Sequence, residues 1–381
     1  MAETIVPSND PAAVVIYSRR VFLQAIHTPV LAKLMAPGLN ARDQTGIVQL
    51  FDEPLKGPGD TIKFNFLPQL TGPGVIGDAP LAGQETALAW QVNSFTINQQ
   101  RNTVLIVGRM SQQRIPWSMR DAAYAQGSNW IKGILNAGLL NQAASNTNQA
   151  NQAYTGLNTP PTLDSSHQIL SGGAANEGAL TSAEVMDLEL ITEAVAKSQS
   201  TLIVPIKPPV IKGVEIAGML FLHHLQVRDL KNNFQAGEWG NIMGMAMQGG
   251  QVTGNPIWTG AIGVRDGTVM HADAAVPWGD STQNQVMMPN GTLTAAPTTL
   301  GTTSVARGIF MGAQALSIAF GAADNMEGSP LRVRWYEEIL DGGNQLRITF
   351  GFIYGIAQPQ VTINSVAQNY ATIAVSTYAA P

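Results

Sequence analysis

The stretch between residues 57 and 110 constrains the fold more than any other part of this chain. Apolar and polar residues alternate over 62–66, and a looser alternation over 95–97 leads into a continuous apolar run at 104–107. Alternation at period two predicts β-strands. The connection at 71–85 is too long for a tight turn, and its glycines and prolines interrupt regular pairing. The sequence therefore predicts a long two-stranded arm with an irregular tip.

This arm needs a surface to lie on, because an isolated two-stranded ribbon is only marginally stable in water. One interpretation places the arm on another subunit. The other makes it an ordinary hairpin with a surface loop. Because long loops with a dedicated function are a minority, the pattern alone favours the surface loop.

The composition indicates a surface that partners cover. Charged residues make up only 12% of the 381 residues, against a usual share of roughly 25%. A free monomer normally keeps a more charged surface than this. The net charge of −5 argues against a nucleic-acid scaffold that works by neutralising phosphates. The 38 glycines and 22 prolines predict many turns and strands, and the absence of cysteine excludes disulfides, thiolate metal sites and cysteine catalysis.

The segment Ser18–Gln24 resembles a twin-arginine export signal. A cleavable signal continues into a clean apolar segment, and His27, Pro29 and Lys33 interrupt this one. We therefore interpret the match as a coincidence. No apolar run approaches the roughly 18 to 20 residues that a membrane helix needs, so we predict no membrane partner.

Helical spacing of apolar residues predicts one long helix and several shorter ones. The long helix is expected over 116–146, with a proline in its first turn, and an Asn/Gln-rich loop or fraying helix end follows to residue 161. A capping box at 181–184 predicts a helix that starts there. Further helices are expected over 18–35 and 226–233.

Other segments predict strands, so the chain belongs to the α+β class. The expected strands lie at 201–206, 219–222, 331–338 and 346–356, with a hairpin turn at 341–344. Residues 306–320 fit a helix or a helix–strand pair, and the tail from residue 359 fits one more strand and a loose end.

No group of residues has the spacing of a catalytic, metal or cofactor site. His223 and His224 are adjacent, and neighbouring residues of a strand point to opposite faces. The same argument separates Glu337 from Glu338, so we expect no general acid–base pair. The glycine pairs complete neither a phosphate-binding loop nor a dinucleotide fingerprint, and there is no nucleophile elbow. We therefore predict no cofactor and no enzymatic activity.

Four arginines cluster where the arm ends and the long helix begins, and they are Arg101, Arg109, Arg114 and Arg120. Their density is too low for a nucleic-acid stripe. Contacts with acidic groups of a neighbouring subunit are the better interpretation, and the arm supplies Asp60, Asp78 and Glu85 as candidates. On this hypothesis Arg109→Glu weakens assembly.

The order of the parts resembles the major capsid proteins of tailed bacteriophages, which have the Hong Kong 97-type fold. The likeness extends over residues 50–356 and is greatest to the branch typified by the phage named N-four. The segments that carry it are Lys56–Thr61, Gly77–Glu85, Arg109–Arg114, Asn255–Gly263 with Asp266 and Gly267, Gly312–Ala315, and the hairpin Asp341–Asn344.

This resemblance implies a division of the chain into named parts. They are an N-terminal arm (1–50), an extended two-stranded E-loop (51–110), a P-domain with a long spine helix (111–179), an A-domain (180–330), and late P-domain strands with a C-terminal tail (331–381). The residues expected at intersubunit contacts in the E-loop and its flanks are Asp60, Lys63, Gly72, Pro73, Gly74, Gly77, Asp78, Gly83, Glu85, Arg101, Arg109 and Arg114. Some members of the family crosslink subunits through Lys–Asn bonds, but no complete lysine, asparagine and acid set is recognisable here.

The resemblance implies a structural protein that self-assembles, through pentamers and hexamers, into an icosahedral head around double-stranded DNA. The shell needs no sequence-specific DNA binding, and portal, scaffold or decoration proteins are candidate partners. Its place is the virion, after assembly in the host cytoplasm. A nanocompartment shell of the same fold, with enzyme cargo, is one alternative. A β-rich glycan-binding protein is another, with Trp90, Trp239, Trp258 and Trp278 as candidate platforms.

Overall fold

The computed structural model describes residues 35–37, 45–51, 59–66, 75–77, 91–114, 118–202, 204–211, 214–232, 261–280, 285–287, 293–295, 304–326, 329–363 and 366–380. Most of the helix expected over 18–35 and most of the arm tip therefore lie outside the described residues. The described part is a mixed α and β fold, built on two large β-sheets and one long helix.

Four α-helices are described: α1 (Arg109–Gln113), α2 (Met119–Ala143), α3 (Leu188–Ala196) and α4 (His224–Asn232). The described strands, in chain order, are β1 (Met35–Pro37), β2 (Val48–Phe51), β3 (Thr61–Phe66), β4 (Gln91–Thr96), β5 (Asn98–Val107), β6 (Gln168–Leu170), β7 (Val210–Ile211), β8 (Val214–Glu215), β9 (Gly218–Leu222), β10 (Ala261–Arg265), β11 (Thr268–Ala272), β12 (Trp278–Asp280), β13 (Gln285–Met287), β14 (Leu293–Ala295), β15 (Val305–Met311), β16 (Leu316–Gly321), β17 (Asp324–Met326), β18 (Ser329–Leu331), β19 (Val333–Leu340), β20 (Gln345–Ala357), β21 (Gln360–Ile363), β22 (Val366–Asn369) and β23 (Thr372–Tyr378).

Strand β20 is the central strand of a six-stranded sheet. One of its edges pairs antiparallel with β5, from Gln345 opposite Val107 to Tyr354 opposite Asn98. The other edge pairs with β19 along its first half and with β16 along its second half. Strands β2 and β1 add to β16 in parallel. The predicted strand pair and its hairpin at 341–344 are confirmed, because a short turn there joins β19 to β20.

Helix α2 packs on one face of this sheet through aromatic contacts. Trp130 meets the rings of Phe350 and Phe352 edge to face, with centroid distances of 5.6 and 5.9 Å. Gly127 allows the close approach, since a β-carbon there would lie 3.1 Å from the Phe350 ring. The expected long helix is therefore confirmed, and it covers one face of the sheet.

The start of α2 lies at Met119 rather than near residue 116. The Ser118 hydroxyl accepts a hydrogen bond from the Asp121 N–H at 3.3 Å, which is the usual N-cap contact. Asp121 also places a negative charge in the first turn, where the helix dipole favours it. A proline is merely compatible with a first turn, whereas a cap residue satisfies orphan N–H groups, so the serine determines the start.

The Asn/Gln-rich segment after α2 is an irregular loop, as expected, but it is partly buried and is anchored by amides at the end of the helix. Gln142 donates from Nε2 to the carbonyl oxygens of Thr155 and Asn158, at 2.6 and 2.8 Å. Asn141 donates to the Tyr154 carbonyl at 2.9 Å. Side-chain amides can satisfy the backbone groups of an irregular buried segment, so a low-complexity composition here serves packing.

Strand β15 is the central strand of a nine-stranded sheet, and all of its residues are buried. It pairs antiparallel with β23 on one edge and with β9 and β12 on the other. The chain tail is therefore a buried strand and not a loose end. Strands β15 and β16 also replace the helix or helix–strand pair expected over 306–320. A fully buried strand reads as a continuous apolar run, which periodicity cannot separate from a helix.

The capping-box residues make their expected contact, but no helix begins at them. The Thr181 N–H donates to Glu184 Oε2 at 2.6 Å, and this contact closes a turn. Helix α3 begins at Leu188, where the Asp187 side chain accepts from the Leu190 N–H at 3.0 Å. Asp187 is therefore the N-cap, and it lies directly before the first residue of the helix.

The strand expected over 201–206 is also wrong. A π-helical end at Lys197–Thr201 extends α3, and the described residues that follow run to β7 without strand pairing. The strand at 219–222 and the helix at 226–233 are confirmed as β9 and α4.

A buried ion pair joins the end of α2 to the nine-stranded sheet. Arg307 on β15 binds Glu177 through two contacts, Nε to Oε1 at 2.6 Å and Nη2 to Oε2 at 2.8 Å. Arg307 Nη1 also donates to the carbonyl oxygens of Ala144 and Ser145, and Glu177 accepts from the Ser376 hydroxyl at 2.7 Å. The guanidinium therefore lies at the C-terminal end of the helix, where the dipole favours positive charge.

Candidate assembly surface

The arm consists of β3 and β4, which pair antiparallel from Thr61 opposite Thr96 to Phe66 opposite Gln91. The predicted outgoing strand is confirmed. The return segment, however, divides at Ile97. Beyond it, β5 leaves the arm and pairs with β20 of the six-stranded sheet. The continuous apolar run at 104–107 therefore belongs to that sheet and not to the arm.

One face of the arm packs on its own subunit. Phe64 and Phe95 meet Phe51 of β2, with ring centroids 5.3 and 6.2 Å apart, and Ile62 packs against the same cluster. The opposite face carries Lys63, Asn65 and Ser94, which are exposed, and Val92, which is 62% exposed. Since paired residues of antiparallel strands share a face, this second face is a continuous strip available to another molecule.

Asn158 holds the root of the arm. Its Oδ1 accepts from the Thr96 N–H at 3.0 Å, and its Nδ2 donates to the Thr96 carbonyl at 2.9 Å, so the amide acts as a short piece of strand. Gly355 makes room for this contact, because a β-carbon at that position would lie 2.2 Å from the Thr96 carbonyl oxygen. The arm therefore leaves the body at a fixed point.

On the face of the six-stranded sheet opposite α2, the arm covers β2, β16 and the end of β20, whereas the part formed by β5, β19 and the first half of β20 is uncovered by any described residue. A depression of about 250 Å³ lies on it, lined by Gln99, Arg101, Arg334, Tyr336, Glu338, Arg347, Thr349 and Gly351. Gly351 forms the floor, since a β-carbon there would lie 2.7 Å from Cγ of Arg101. Three arginines and one glutamate give the depression a net positive charge.

The contacts within the depression hold its side chains in place. Arg347 Nε donates to Glu338 Oε2 at 3.1 Å, and the Arg334 guanidinium lies 5.3 Å from the centre of the Tyr336 ring. Arginine and tyrosine are the residue types that interface cores favour, because they combine large contact area with directed polar groups.

The end of the sheet near α1 presents exposed apolar side chains. Val107, Met110 and Ile339 are 52%, 63% and 55% exposed. Arg109 Nε donates to the Gly343 carbonyl at 2.9 Å, which ties α1 to the turn between β19 and β20. Arg109 thus has a role within the subunit, in addition to any contact with a neighbour.

The structure places half of the predicted contact residues at three different locations and leaves the others outside its described part. Asp60, Lys63 and Gly77 lie in the arm region, Arg101 lines the depression, and Arg109 and Arg114 lie at α1. The predicted residues outside the described part are Gly72, Pro73, Gly74, Asp78, Gly83 and Glu85.

Arg120, by contrast, has its acidic partner inside the subunit. Its Nε lies 2.6 Å from Glu337 Oε1, and Trp335 Nε1 donates to the same oxygen at 2.8 Å. Sequence reasoning placed this arginine with a neighbour because Glu337 is more than two hundred residues away along the chain. Asn158 and Gly355 were missed for the same reason, since only the tertiary fold places them beside the arm.

The histidines and carboxylates make structural contacts. His223 stacks on Trp278 with ring centroids 5.8 Å apart, and burial lowers the pKa of His223 to about 4, with the charge of His224 acting in the same direction. Trp278 is buried, so it offers no platform for a glycan, and the other three candidate tryptophans lie outside the described residues. Glu337 and Glu338 diverge, as predicted.

Asp164, Ser166 and His167 are close together, but they cap a turn. The Asp164 side chain accepts from the Ser166 N–H at 3.1 Å, and His167 Nδ1 lies 3.2 Å from the same carboxylate. Burial lowers the pKa of His167, and the hydrogen bond to Asp164 opposes this. Among the described residues, no group of three or more potential metal ligands converges. No helix in that part of the chain is long and apolar enough to cross a membrane.

Comparison with known proteins identifies the family. The sequence model described as phage capsid protein matches residues 5–381. No curated protein matches the chain. Among solved structures, the capsid of Ralstonia phage GP4 superimposes with a TM-score of 0.72 at 22% identity, covering 91% of this chain and 90% of that one.

Two further structures agree. The capsid asymmetric unit of cyanophage Pam1 gives a TM-score of 0.64 at 16% identity, with 93% of each chain covered. The head of Helicobacter pylori bacteriophage KHP40 gives 0.59 at 15% identity, covering 91% of this chain and 89% of that one. The predicted Hong Kong 97-type fold is therefore confirmed. Because the family model spans nearly the whole sequence, the chain belongs to the phage capsid protein family and is a structural major capsid protein.

Proposed function

We propose that copies of this chain assemble, through pentamers and hexamers, into the closed icosahedral head of a tailed phage. The head encloses double-stranded DNA without sequence-specific binding. Assembly takes place in the host cytoplasm, with portal, scaffold and decoration proteins as further partner classes. The family match supports this proposal, as do the structural neighbours, which are a phage capsid and a phage head.

The proposed division into an N-terminal arm (1–50), E-loop (51–110), P-domain (111–179 with 331–381) and A-domain (180–330) follows from the same likeness. The long helix α2 is the spine of the P-domain, and the strands around β15 form much of the A-domain. The helix packs on the sheet built on β20, and the other sheet is built on β15, but β16 pairs into the first sheet and β6 and β23 pair into the second, so the proposed boundaries do not follow the sheets strictly.

The observation that carries the proposal is an arm with one free face, in a subunit whose sheet has an uncovered positive depression. Between Lys63 and Arg101 the sequence contains two acidic residues, Asp78 and Glu85, and no basic one. The depression carries three arginines and one glutamate. Opposite charges on mating surfaces steer association and fix register. The arm of one subunit is therefore an intersubunit clasp that lies on the sheet of the next.

A closed shell repeats each intersubunit contact around its rings of subunits. A contact that is weak between two subunits therefore stabilises the shell many times. A nanocompartment shell has the same geometry and would carry enzyme cargo. The family match is to phage capsid proteins, and this favours DNA as the content.

Replacement of residues 71–85 by a short Gly-Ser turn tests the clasp. The arm keeps its strands and its root but loses its reach, so we expect a folded subunit that does not close shells. Circular dichroism and the denaturation midpoint check folding, and electron microscopy checks closure. Normal shells from this variant would refute the clasp.

A further inference from the structure

The outer edge of β21 is satisfied by side chains and not by a neighbouring strand. In a strand, each residue directs its N–H and C=O to the same edge, and alternate residues use opposite edges. Gln360 and Thr362 are alternate residues of β21, so their backbone groups share one edge. That edge faces the arm.

Gln91 and Asn93 of the arm occupy this edge with their amides. Gln91 Nε2 donates to the Thr362 carbonyl at 2.6 Å, and Gln91 Oε1 accepts from the Thr362 N–H at 2.8 Å. Asn93 Nδ2 donates to the Gln360 carbonyl at 2.7 Å, and Asn93 Oδ1 accepts from the Gln360 N–H at 3.2 Å. A primary amide has the donor and acceptor of a peptide group, so each side chain forms one rung of a ladder.

These rungs differ from backbone pairing in one physical respect. Rotation of two side chains opens them, whereas β3 and β4 stay paired through their own backbones. The root behaves differently, because Asn158 forms hydrogen bonds with the backbone N–H and C=O of Thr96. Gly355 packs directly against the same Thr96 carbonyl. The root of the arm is thus fixed by the Asn158 contacts and by the packing of Phe64 and Phe95 on Phe51, and beyond it the contacts of the arm with β21 are the side-chain rungs.

We propose that Gln91 and Asn93 are positioning residues that set the angle of the arm relative to the body of the subunit. With both rungs closed, the arm lies against the β21–β22 hairpin. With both open, the paired strands turn as a unit about the root. The proposal extends the role of the arm as a clasp and rests on it only for the consequence in assembly.

Hydrogen exchange of the full-length Gln91→Ala/Asn93→Ala variant tests the rungs directly. We expect the amides of Gln360 and Thr362 to lose about tenfold or more of their protection, because each loses its acceptor. The pairing of β3 with β4 keeps its protection. The matched control is Ser94→Ala, on the exposed face of the same strand, which leaves exchange unchanged. Unaltered protection at Gln360 and Thr362 in the double variant would overturn the proposal.

A second variant separates the rungs from general packing. In Gln91→Glu/Asn93→Asp, the carboxylates cannot donate to the carbonyls, and the oxygen that replaces each amide nitrogen repels the carbonyl oxygen it faces, so the rungs open and the N–H groups lose protection. Below a pH of about 4 the carboxyl groups are protonated and donate again. We therefore expect protection, measured relative to the native protein at the same pH, to recover on acidification. A deficit independent of pH would show that the amides act only through shape.

Electron microscopy then asks whether the angle matters for assembly. The double alanine variant should give fewer closed shells than the Ser94→Ala control. If the rungs open yet shells close normally, the positioning role is wrong while the clasp stands. If shells also close without residues 71–85, the clasp itself fails, and the exchange result still reports on the rungs.

Discussion

At the scale of single residues, the buried pair of Arg307 and Glu177 ties the nine-stranded sheet to the C-terminal end of α2. Both side chains are almost fully buried, and each makes contacts beyond the pair. Removing one partner leaves the other as a buried, uncompensated charge. The loss of stability on removing one partner is therefore expected to exceed the net stabilisation that the intact pair provides.

We expect Arg307→Met to lower the free energy of unfolding by about 3–5 kcal/mol. The control is Arg347→Met, which breaks the half-exposed pair with Glu338 and should cost at most about 1 kcal/mol. Denaturant unfolding of both variants measures the difference. An equal decrease in the unfolding free energy of both variants would show that the buried pair is no more important for stability than the half-exposed one.

His223 makes stability depend on pH. Its pKa is about 4 in the folded protein against 6.5 for the ordinary side chain, so the unfolded chain takes up the proton first on acidification. The contribution of His223 to the unfolding free energy is therefore complete above pH 6.5. As the pH falls to about 4, up to roughly 3 kcal/mol of this free energy is lost. His223→Gln should flatten this part of the profile of unfolding free energy against pH. An identical slope in the variant would contradict the assignment.

At the scale of elements, the arm depends on a glycine in a different strand. A β-carbon at position 355 would meet the backbone oxygen of Thr96 at 2.2 Å, and a backbone atom cannot move aside as a flexible side chain can. The contact between the arm root and β20 therefore requires glycine.

We expect Gly355→Ala to lower the unfolding free energy by about 1–3 kcal/mol, as overpacking usually does. It should also reduce the exchange protection of the Thr96 N–H, because the Asn158 clamp is displaced. Ser94→Ala, on the same arm strand but facing solvent, serves as the control. Full protection of Thr96 in the glycine variant would mean that the clamp tolerates a shift.

Local patterns predicted the elements whose signals are complete within a few residues. The alternation in β3, the hairpin between β19 and β20, and the long helix α2 are of this kind. Local patterns failed where two signals competed or where burial removed the period. The capping box at 181–184 competed with Asp187, and the buried strand β15 resembled a helix.

The candidate surface was predictable only in part for a related reason. The arm and Arg101 stood out in the sequence because their residues are contiguous or charged. The partners Glu337, Asn158 and Gly355 are distant in the chain, and nothing local links them to the residues they contact. The division of the return segment at Ile97 likewise depends on β20, more than two hundred residues later.

At the scale of the whole molecule, a low-charge chain, an arm with one exposed face and a partly uncovered sheet face describe a subunit suited to repeated contacts with its own copies. Charged residues form only 12% of the sequence, and partners that cover the surface explain this without loss of solubility. The family match and the Hong Kong 97-type fold support the same conclusion.

Electron microscopy of the purified full-length protein tests this central claim most directly. We expect uniform closed shells, formed by this chain through its arm and sheet face. A monodisperse monomer that forms no assembly under any solution condition would contradict it.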